Sequence, residues 1–276
     1  MTILLSVNFF VLGLIIGSFL NVVIARSNTG KTLGGRSACM SCQNKLHWYD
    51  LIPIFSFLSL RGRCRTCKTR ISYTYPLVEF VTGFIFLVLF LKFQDSFFFN
   101  PLVFTFSYAY YAVLFSLLIV ITVYDIRHKI IPDKFSFIFG LLAFLGLFFF
   151  QNNFQSNFIF SFWHIPSMLS IATGFLIALP FFLCWLLSSG RWMGLGDAKL
   201  ALGLGWMLGL AVAISAVALA FWIGAIVGIS LILFSKIFRS NFGSFGMKSE
   251  IPFAPYLVIG TFLAFIFGLN IFMLGF

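Results

Sequence analysis

Only seven acidic residues occur among the 276: Asp50, Glu79, Asp95, Asp125, Asp133, Asp197 and Glu250. Two of them stand at the edges of long apolar runs. Asp125 directly follows Leu114–Tyr124, and Asp197 opens another run in the stretch Gly194-Leu195-Gly196-Asp197-Ala198-Lys199. Ionisable groups at such places are costly to keep and usually functional. The structural alternative is an ion pair, for example Asp125 with Arg127 or Lys129, since paired charges are the other common reason to retain them. The glycines favour chemistry. Gly194 and Gly196 remove side chains beside Asp197, so another backbone or an extended peptide can approach closely. Two carboxylates sharing one proton then divide acid–base work: the ionised one takes a proton from water, the protonated one donates to a carbonyl oxygen. Like charges that close do not both ionise cheaply, so the pair titrates as a unit. No Ser/His/Asp set competes, because His128 neighbours Asp125 but no activated serine accompanies it.

A second constellation is sulfur. Cys39-Met-Ser-Cys42 is followed after 21 residues by Cys64-Arg-Thr-Cys67. Each CxxC turn points two sulfurs at one ion, and two turns complete a tetrahedron, so the spacing predicts a tetrathiolate zinc site. Four thiolates leave no open position, which makes the role structural. Two disulfides are the alternative, disfavoured in a reducing cytosol. His47 lies between the knuckles as an unneeded further ligand. Cys184 sits in an apolar run and reads as a small buried residue.

The elements that must position these groups are membrane helices. The composition is 61% hydrophobic and 9% charged, with 41 Phe, against about 25% charged residues in an ordinary soluble domain. A spanning helix needs about 20 mostly apolar residues. Candidates run over roughly 3–25, 76–93, 101–124, 134–150, 166–188, 198–211, 212–234 and 253–275. The run 198–234 is too long for one span, and Gly203, Gly205 and Gly209 mark a break or a close crossing. The first run has no basic residue before Arg26, so it reads as a retained helix rather than a secretory signal. With eight spans and an outside N-terminus, all but one (Lys92) of the 18 Lys and Arg fall in or beside cytoplasmic loops. Arg26, Lys31, Lys129, Arg239 and Lys248 are among them. That asymmetry accounts for the net charge of +11 through membrane orientation rather than nucleic-acid binding. It also places Asp125 and Asp197 at cytoplasmic helix ends. The expectation is an all-α polytopic membrane protein of about eight transmembrane helices. Residues 1–25 form the first helix, 26–75 a cytoplasmic zinc-binding insert built on four cysteines, and 76–276 the membrane core. The insert is too small to build a core of its own, so a metal supplies folding energy. Gly13-xxx-Gly17, Gly205-xxx-Gly209 and Gly224-xxx-Gly228 suit close helix packing within the chain.

Tyr124-Asp125 together with Gly194-Leu195-Gly196-Asp197 resembles the paired motifs of the GxGD intramembrane aspartyl proteases. Further motifs narrow the resemblance to bacterial type IV prepilin peptidases. They are Gly17-Ser-Phe-Leu-Asn21-Val-Val-Ile-Ala-Arg26, the two CxxC knuckles, Asp50-Leu-Ile-Pro53, Leu60-Arg-Gly-Arg-Cys64, Ile71–Glu79, Asp125–Asp133 and Glu250–Tyr256. The likeness runs from about residue 10 to 265. Ala25 stands where a larger residue is common. The resemblance implies a bacterial inner-membrane enzyme. It would cut the short basic leader from type IV prepilins and type II secretion pseudopilins on the cytoplasmic side, after a Gly and usually before a Phe. Many relatives also methylate the new N-terminal amine with S-adenosylmethionine. The resemblance implies Asp125 and Asp197 as catalytic residues, and Cys39, Cys42, Cys64 and Cys67 as metal ligands. Gly194, Gly196 and Lys199 are supporting residues of the GxGD segment. No Rossmann-type glycine loop marks the methyl-donor site.

Other classes remain open at this level. A peptidase lacking methyltransferase activity fits the same motifs. A transporter with Asp125 and Asp197 as ion-coupling groups predicts internal repeats that the hydropathy does not show. A presenilin-like protease leaves the CxxC insert unexplained, and a zinc-bearing membrane scaffold leaves the aspartates inert. Oligomeric state is not legible.

Overall fold

A computed structural model describes residues 2–27, 29, 32, 34–152, 158–160, 163–237 and 252–270. Lys31, Arg239, Lys248, Glu250 and residues 271–275, invoked above, lie outside them. The helices are α1 (Thr2–Arg26), α2 (Phe55–Ser59), α3 (Thr74–Phe99), α4 (Pro101–His128), α5 (Asp133–Gly146), α6 (Met168–Ser188), α7 (Leu195–Leu208), α8 (Leu210–Ile237) and α9 (Ala254–Phe267). Each of the eight expected spans coincides with one of these helices, α2 being the short addition within the insert. Among the described residues, five are long and apolar enough to cross a membrane: α1, α3, α4, α6 and α8. The helices α5, α7 and α9 each have 14 residues. At 1.5 Å per residue they reach about 21 Å, short of a hydrocarbon core about 30 Å thick. Between α5 and α6, Phe150–Asn152 pairs antiparallel with Phe158–Phe160. The sequence reading did not expect this hairpin, because a continuous run of aromatics carries no clear period.

The chain divides within α4 into two compact units, residues 1–120 and 121–276. In the first, α1 lies against α3 at a crossing that only glycine permits. A Cβ on Gly13 would sit 2.7 Å from the Gly83 Cα, and one on Gly17 2.8 Å from the Glu79 Cα. The Gly13-xxx-Gly17 face is thus consumed within the chain. Aromatic stacking fills the far end, with Phe9 on Phe90 at 4.5 Å between ring centres and Tyr108 donating a hydrogen bond to the Phe86 carbonyl.

In the second unit, α7 is held between α5 and α6. A Cβ on Gly205 would fall 2.8 Å from the Gly174 Cα, and one on Gly203 2.6 Å from the Phe139 ring. The Thr173 hydroxyl donates to the Gly205 carbonyl across the same crossing. Gly209, at φ +75°, then ends α7 before α8 begins. The glycine-rich stretch therefore supplies both the close crossing and the break, because only glycine adopts that backbone freely.

Candidate active site

Asp125 lies in the last turn of α4, 5% exposed. The helix stops there because Lys129, at φ +55°, closes back onto the Asp125 carbonyl, and Pro132 then caps α5. The carboxylate meets a partner from far along the chain. The Ala254 N–H, the first of α9, donates to Asp125 Oδ2 at 3.3 Å. That N–H is one of the four that a helix start leaves unsatisfied, and a carboxylate placed there is favoured by the helix dipole.

Asp197 repeats the arrangement within its own helix. Gly194 is the N-cap of α7, with φ −76° and ψ 150°, and Asp197 is the third helical residue. An acidic side chain at that position points back toward the N-cap, and the Asp197 carboxylate lies beside Gly194, whose added Cβ would meet its Oδ2 first. Asp197 is 8% exposed. The two carboxylates are close enough for their charges to repel one another. Two helix starts, those of α7 and α9, thus serve one pair of buried acids.

The supporting residues separate into different roles. A Cβ on Gly196 would lie 2.8 Å from the Ile131 Cβ, in the turn between α4 and α5. Gly196 therefore sets how closely α7 approaches the segment that carries Asp125. Gly194 is less constrained, since a Cβ there would first meet Asp197 Oδ2, at 3.7 Å. Lys199 forms a 2.6 Å ion pair with Asp133 at the start of α5. Both partners are substantially exposed, so the bridge contributes little energy.

The cysteines form a separate centre in the first unit. Their four sulfurs lie within 4.8 Å of one another, with Cys39 and Cys67 at 3.8 Å. A tetrahedral zinc with bonds of about 2.3 Å requires sulfurs about 3.8 Å apart, and a disulfide would require about 2.05 Å. The two knuckles are copies of one turn. In each, the first cysteine's N–H donates to the carbonyl five residues on, at 3.0 Å for Cys39 to Asn44 and 2.9 Å for Cys64 to Thr69. In each, the residue after the second cysteine has positive φ, Gln43 at 55° and Lys68 at 58°. The Asn44 amide donates to the Thr66 hydroxyl and ties the copies together. The donor set also suits a cation. The Thr69 hydroxyl and N–H hold the Cys67 thiol down at about 6. At Cys42 the Asn44 N–H works in the same direction, but lost water and three neighbouring sulfurs push the thiol up to about 11. Four thiolates in this space repel unless a metal compensates them. Asp50 braces the insert, accepting from Arg65 Nη2 at 2.8 Å and from the His47 N–H at 3.3 Å.

Comparison with known proteins places these features in a family. Residues 11–93 match the bacterial peptidase A24 N-terminal domain, and residues 112–229, which contain both aspartates, match the type IV leader peptidase family. A prepilin leader peptidase/N-methyltransferase of Bacillus subtilis (strain 168) is 31% identical over 260 residues, covering 94% of this chain and 93% of that protein. The chain belongs to the type IV leader peptidase family. A protein of the same description from Myxococcus xanthus (strain DK1622) is 41% identical over 145 residues, 52% of this chain but 40% of that protein. One from Aeromonas salmonicida (strain A449) is 29% identical over 94% of this chain and 89% of that protein. No solved structure is a significant match.

Sequence reasoning missed two members of this peptidase-family site. The Ala254 N–H was invisible, although Pro255 beside it is a helix-start signal. Ile131, the surface that Gly196 meets, lies within the motif Asp125–Asp133, but nothing local marks it as the contact. The knuckle duplication was visible, since Cys39-Met-Ser-Cys42-Gln-Asn-Lys45 and Cys64-Arg-Thr-Cys67-Lys-Thr-Arg70 align residue by residue.

Proposed function

We propose that the chain cleaves the basic leader from type IV prepilins and type II secretion pseudopilins at a Gly-Phe type junction, and N-methylates the residue so exposed. Asp125 and Asp197 are its peptidase pair. The observation that carries this reading is the meeting of two buried carboxylates, each at a helix start, within the segment that matches the peptidase family. At any instant one acid is ionised and takes a proton from the attacking water. The other gives its proton to the scissile carbonyl oxygen, and the roles reverse as the amine leaves. Burial excludes competing water, and the Ala254 N–H orients the Asp125 carboxylate without holding its remaining lone pairs. The scissile bond must be presented as extended chain, so the substrate unwinds locally at the pair.

The remaining parts follow the same reading. Cys39, Cys42, Cys64 and Cys67 hold a structural zinc that staples the insert 26–75 between the first helix, 1–25, and the peptidase core, 76–276. S-adenosylmethionine supplies the methyl group. The asymmetry of Lys and Arg supports an inner-membrane protein with its N-terminus outside and its aspartates facing the cytoplasm. Lipid, prepilins and pseudopilins are the partners; nucleic acid is not. The test is purified chain with a synthetic prepilin. Wild type should release the leader, and Asp125→Asn and Asp197→Asn should not.

A further inference from the structure

Between the two cysteine knuckles, residues 48–58 read Trp-Tyr-Asp-Leu-Ile-Pro-Ile-Phe-Ser-Phe-Leu, an apolar stretch in an otherwise polar insert. A water-soluble module would bury such side chains, yet here they face outward. Trp48 is 77% exposed, Phe55 70% and Leu58 65%, with Leu51 and Ile52 exposed between them. The local fold holds them there. One 3₁₀ turn, Trp48–Leu51, leads through Pro53 into α2, and the Ser56 N–H donates to the Ile52 carbonyl at 3.1 Å. Phe57 turns the other way. Its ring meets the Tyr73 ring at 5.5 Å between centres and closes over Gly62, where a Cβ would lie 3.0 Å from it. Phe55 and Leu58, three residues apart, therefore share the open face of α2. Single exposed apolar residues are ordinary, but a contiguous group marks an interaction surface.

Two contacts set the height of this face along the membrane helices. The Ile54 N–H donates to Glu79 Oε2 at 2.8 Å, and the Phe57–Tyr73 contact ties α2 to the residue before α3. Glu79 is the sixth residue of α3, about 8 Å along it at 1.5 Å per residue. The 26 residues of α3 reach about 39 Å, about 9 Å more than a hydrocarbon core about 30 Å thick. Shared between the two ends, that excess puts the hydrocarbon edge about 5 Å along α3, just short of Glu79. The face of α2 thus hangs at the level of the lipid headgroups. The exposed apolar stripe of α3 itself, Leu77, Phe80 and Phe84, begins at the same height.

Charge selects the kind of surface. Residues 26–75 hold nine Lys and Arg against one acid, Asp50, which Arg65 already pairs. The negative charge of a zinc tetrathiolate offsets only part of that excess. Arg61, Arg63 and Lys68 are exposed on the segment that leaves α2, and none makes an ion pair among the described residues. A second copy of the chain would bring the same positive insert, and a basic leader would bring more positive charge, so both are repelled. Aromatic rings at headgroup height with cations beside them suit acidic lipid instead. We propose that residues 48–58 form an interfacial anchor that docks in the headgroup layer of an anionic bilayer. Trp48, Phe55 and Leu58 enter the lipid, and Arg61, Arg63 and Lys68 meet its phosphates. The membrane then holds the insert at a third point, besides α1 and α3.

Photo-crosslinking identifies the occupant directly. Full-length chain carrying p-benzoylphenylalanine in place of Phe55 or Leu58 is reconstituted in nanodiscs of equal phosphatidylglycerol and phosphatidylcholine and irradiated. Both positions should give lipid adducts. Phosphatidylglycerol should be favoured at least about fivefold, the effect of one Lys or Arg near an acidic surface. Arg61→Gln, Arg63→Gln and Lys68→Gln combined should bring the two lipids within about twofold of each other. Adducts to residues 121–276, to a second copy or to added prepilin in place of lipid, or no adduct at all, overturn the anchor. Equal yields of the two lipids before the charges are removed overturn the acidic surface. Wild-type chain answers the same question if the labelled variants misfold. Hydroxyl-radical oxidation of Trp48, read by mass spectrometry, should be at least about fivefold slower in phosphatidylglycerol nanodiscs than in phosphatidylcholine ones. Equal rates overturn the proposal.

Discussion

Gly196→Ala perturbs the peptidase pair by a single methyl group. The added Cβ would lie 2.8 Å from the Ile131 Cβ and 3.4 Å from its Cγ1 and Cδ1. Carbon atoms rest at about 3.5–4.0 Å, so the start of α7 and the α4–α5 turn must separate by about 1 Å. Ile131 is β-branched and cannot swing its Cβ aside, so the backbones must move. Asp197 is the next residue on one side of this contact, and Asp125 precedes the turn on the other. Overpacking of this kind costs about 1–3 kcal/mol in stability, and a shift of about 1 Å costs about 10²-fold in rate. Cleavage of a synthetic prepilin by Gly196→Ala should therefore fall about 10²-fold while the protein still inserts and purifies. Gly194→Ala, whose Cβ meets nothing closer than 3.7 Å, should fall no more than about threefold by the same contact argument. Ile131→Ala added to Gly196→Ala should restore most of the lost rate. Equal damage from the two glycine variants, or no rescue, would refute the spacing argument.

Other outcomes follow from the same geometry. Combining Asp125→Asn with Asp197→Asn should be little worse than either alone, because residues acting as a unit lose their effect together; single-turnover cleavage measures this. Cys42→Ser or Cys64→Ser should lower zinc content by elemental analysis and make residues 26–75 more susceptible to protease, since the metal supplies folding energy in so small a module. Lys199→Met should reduce stability by less than about 1 kcal/mol, as expected for an exposed ion pair, measured by thermal unfolding in detergent. Mature pilin from cells making the wild-type chain should carry one added methyl on its first residue, read by mass spectrometry.

Much of this architecture is written locally. Eight helices follow from apolar runs, and the glycines at 203, 205 and 209 mark where α7 is crossed and ended. The cysteine centre is legible because its ligands come as two short turns whose spacing reports geometry directly. The pairing of Asp125 with Asp197 was legible only as chemistry, two acids at apolar edges, because nothing local fixes how α7 meets the α4–α5 turn. What brings them together is Gly196 against Ile131 and the start of α9 against Asp125, contacts between distant segments. The short hairpin after α5 was hidden for a different reason: consecutive Phe residues satisfy helix and strand alike.

The central claim is that Asp125 and Asp197 act together as a protease's acid and base. The most direct measurement is the mass of a synthetic prepilin after incubation with purified wild-type, Asp125→Asn and Asp197→Asn chains. Wild type should release the leader as a separate mass. Each variant should be slower by at least about 10²–10⁴-fold, the usual worth of one acid–base group, with α-helical content unchanged. Substantial cleavage by folded Asp197→Asn protein would contradict the account.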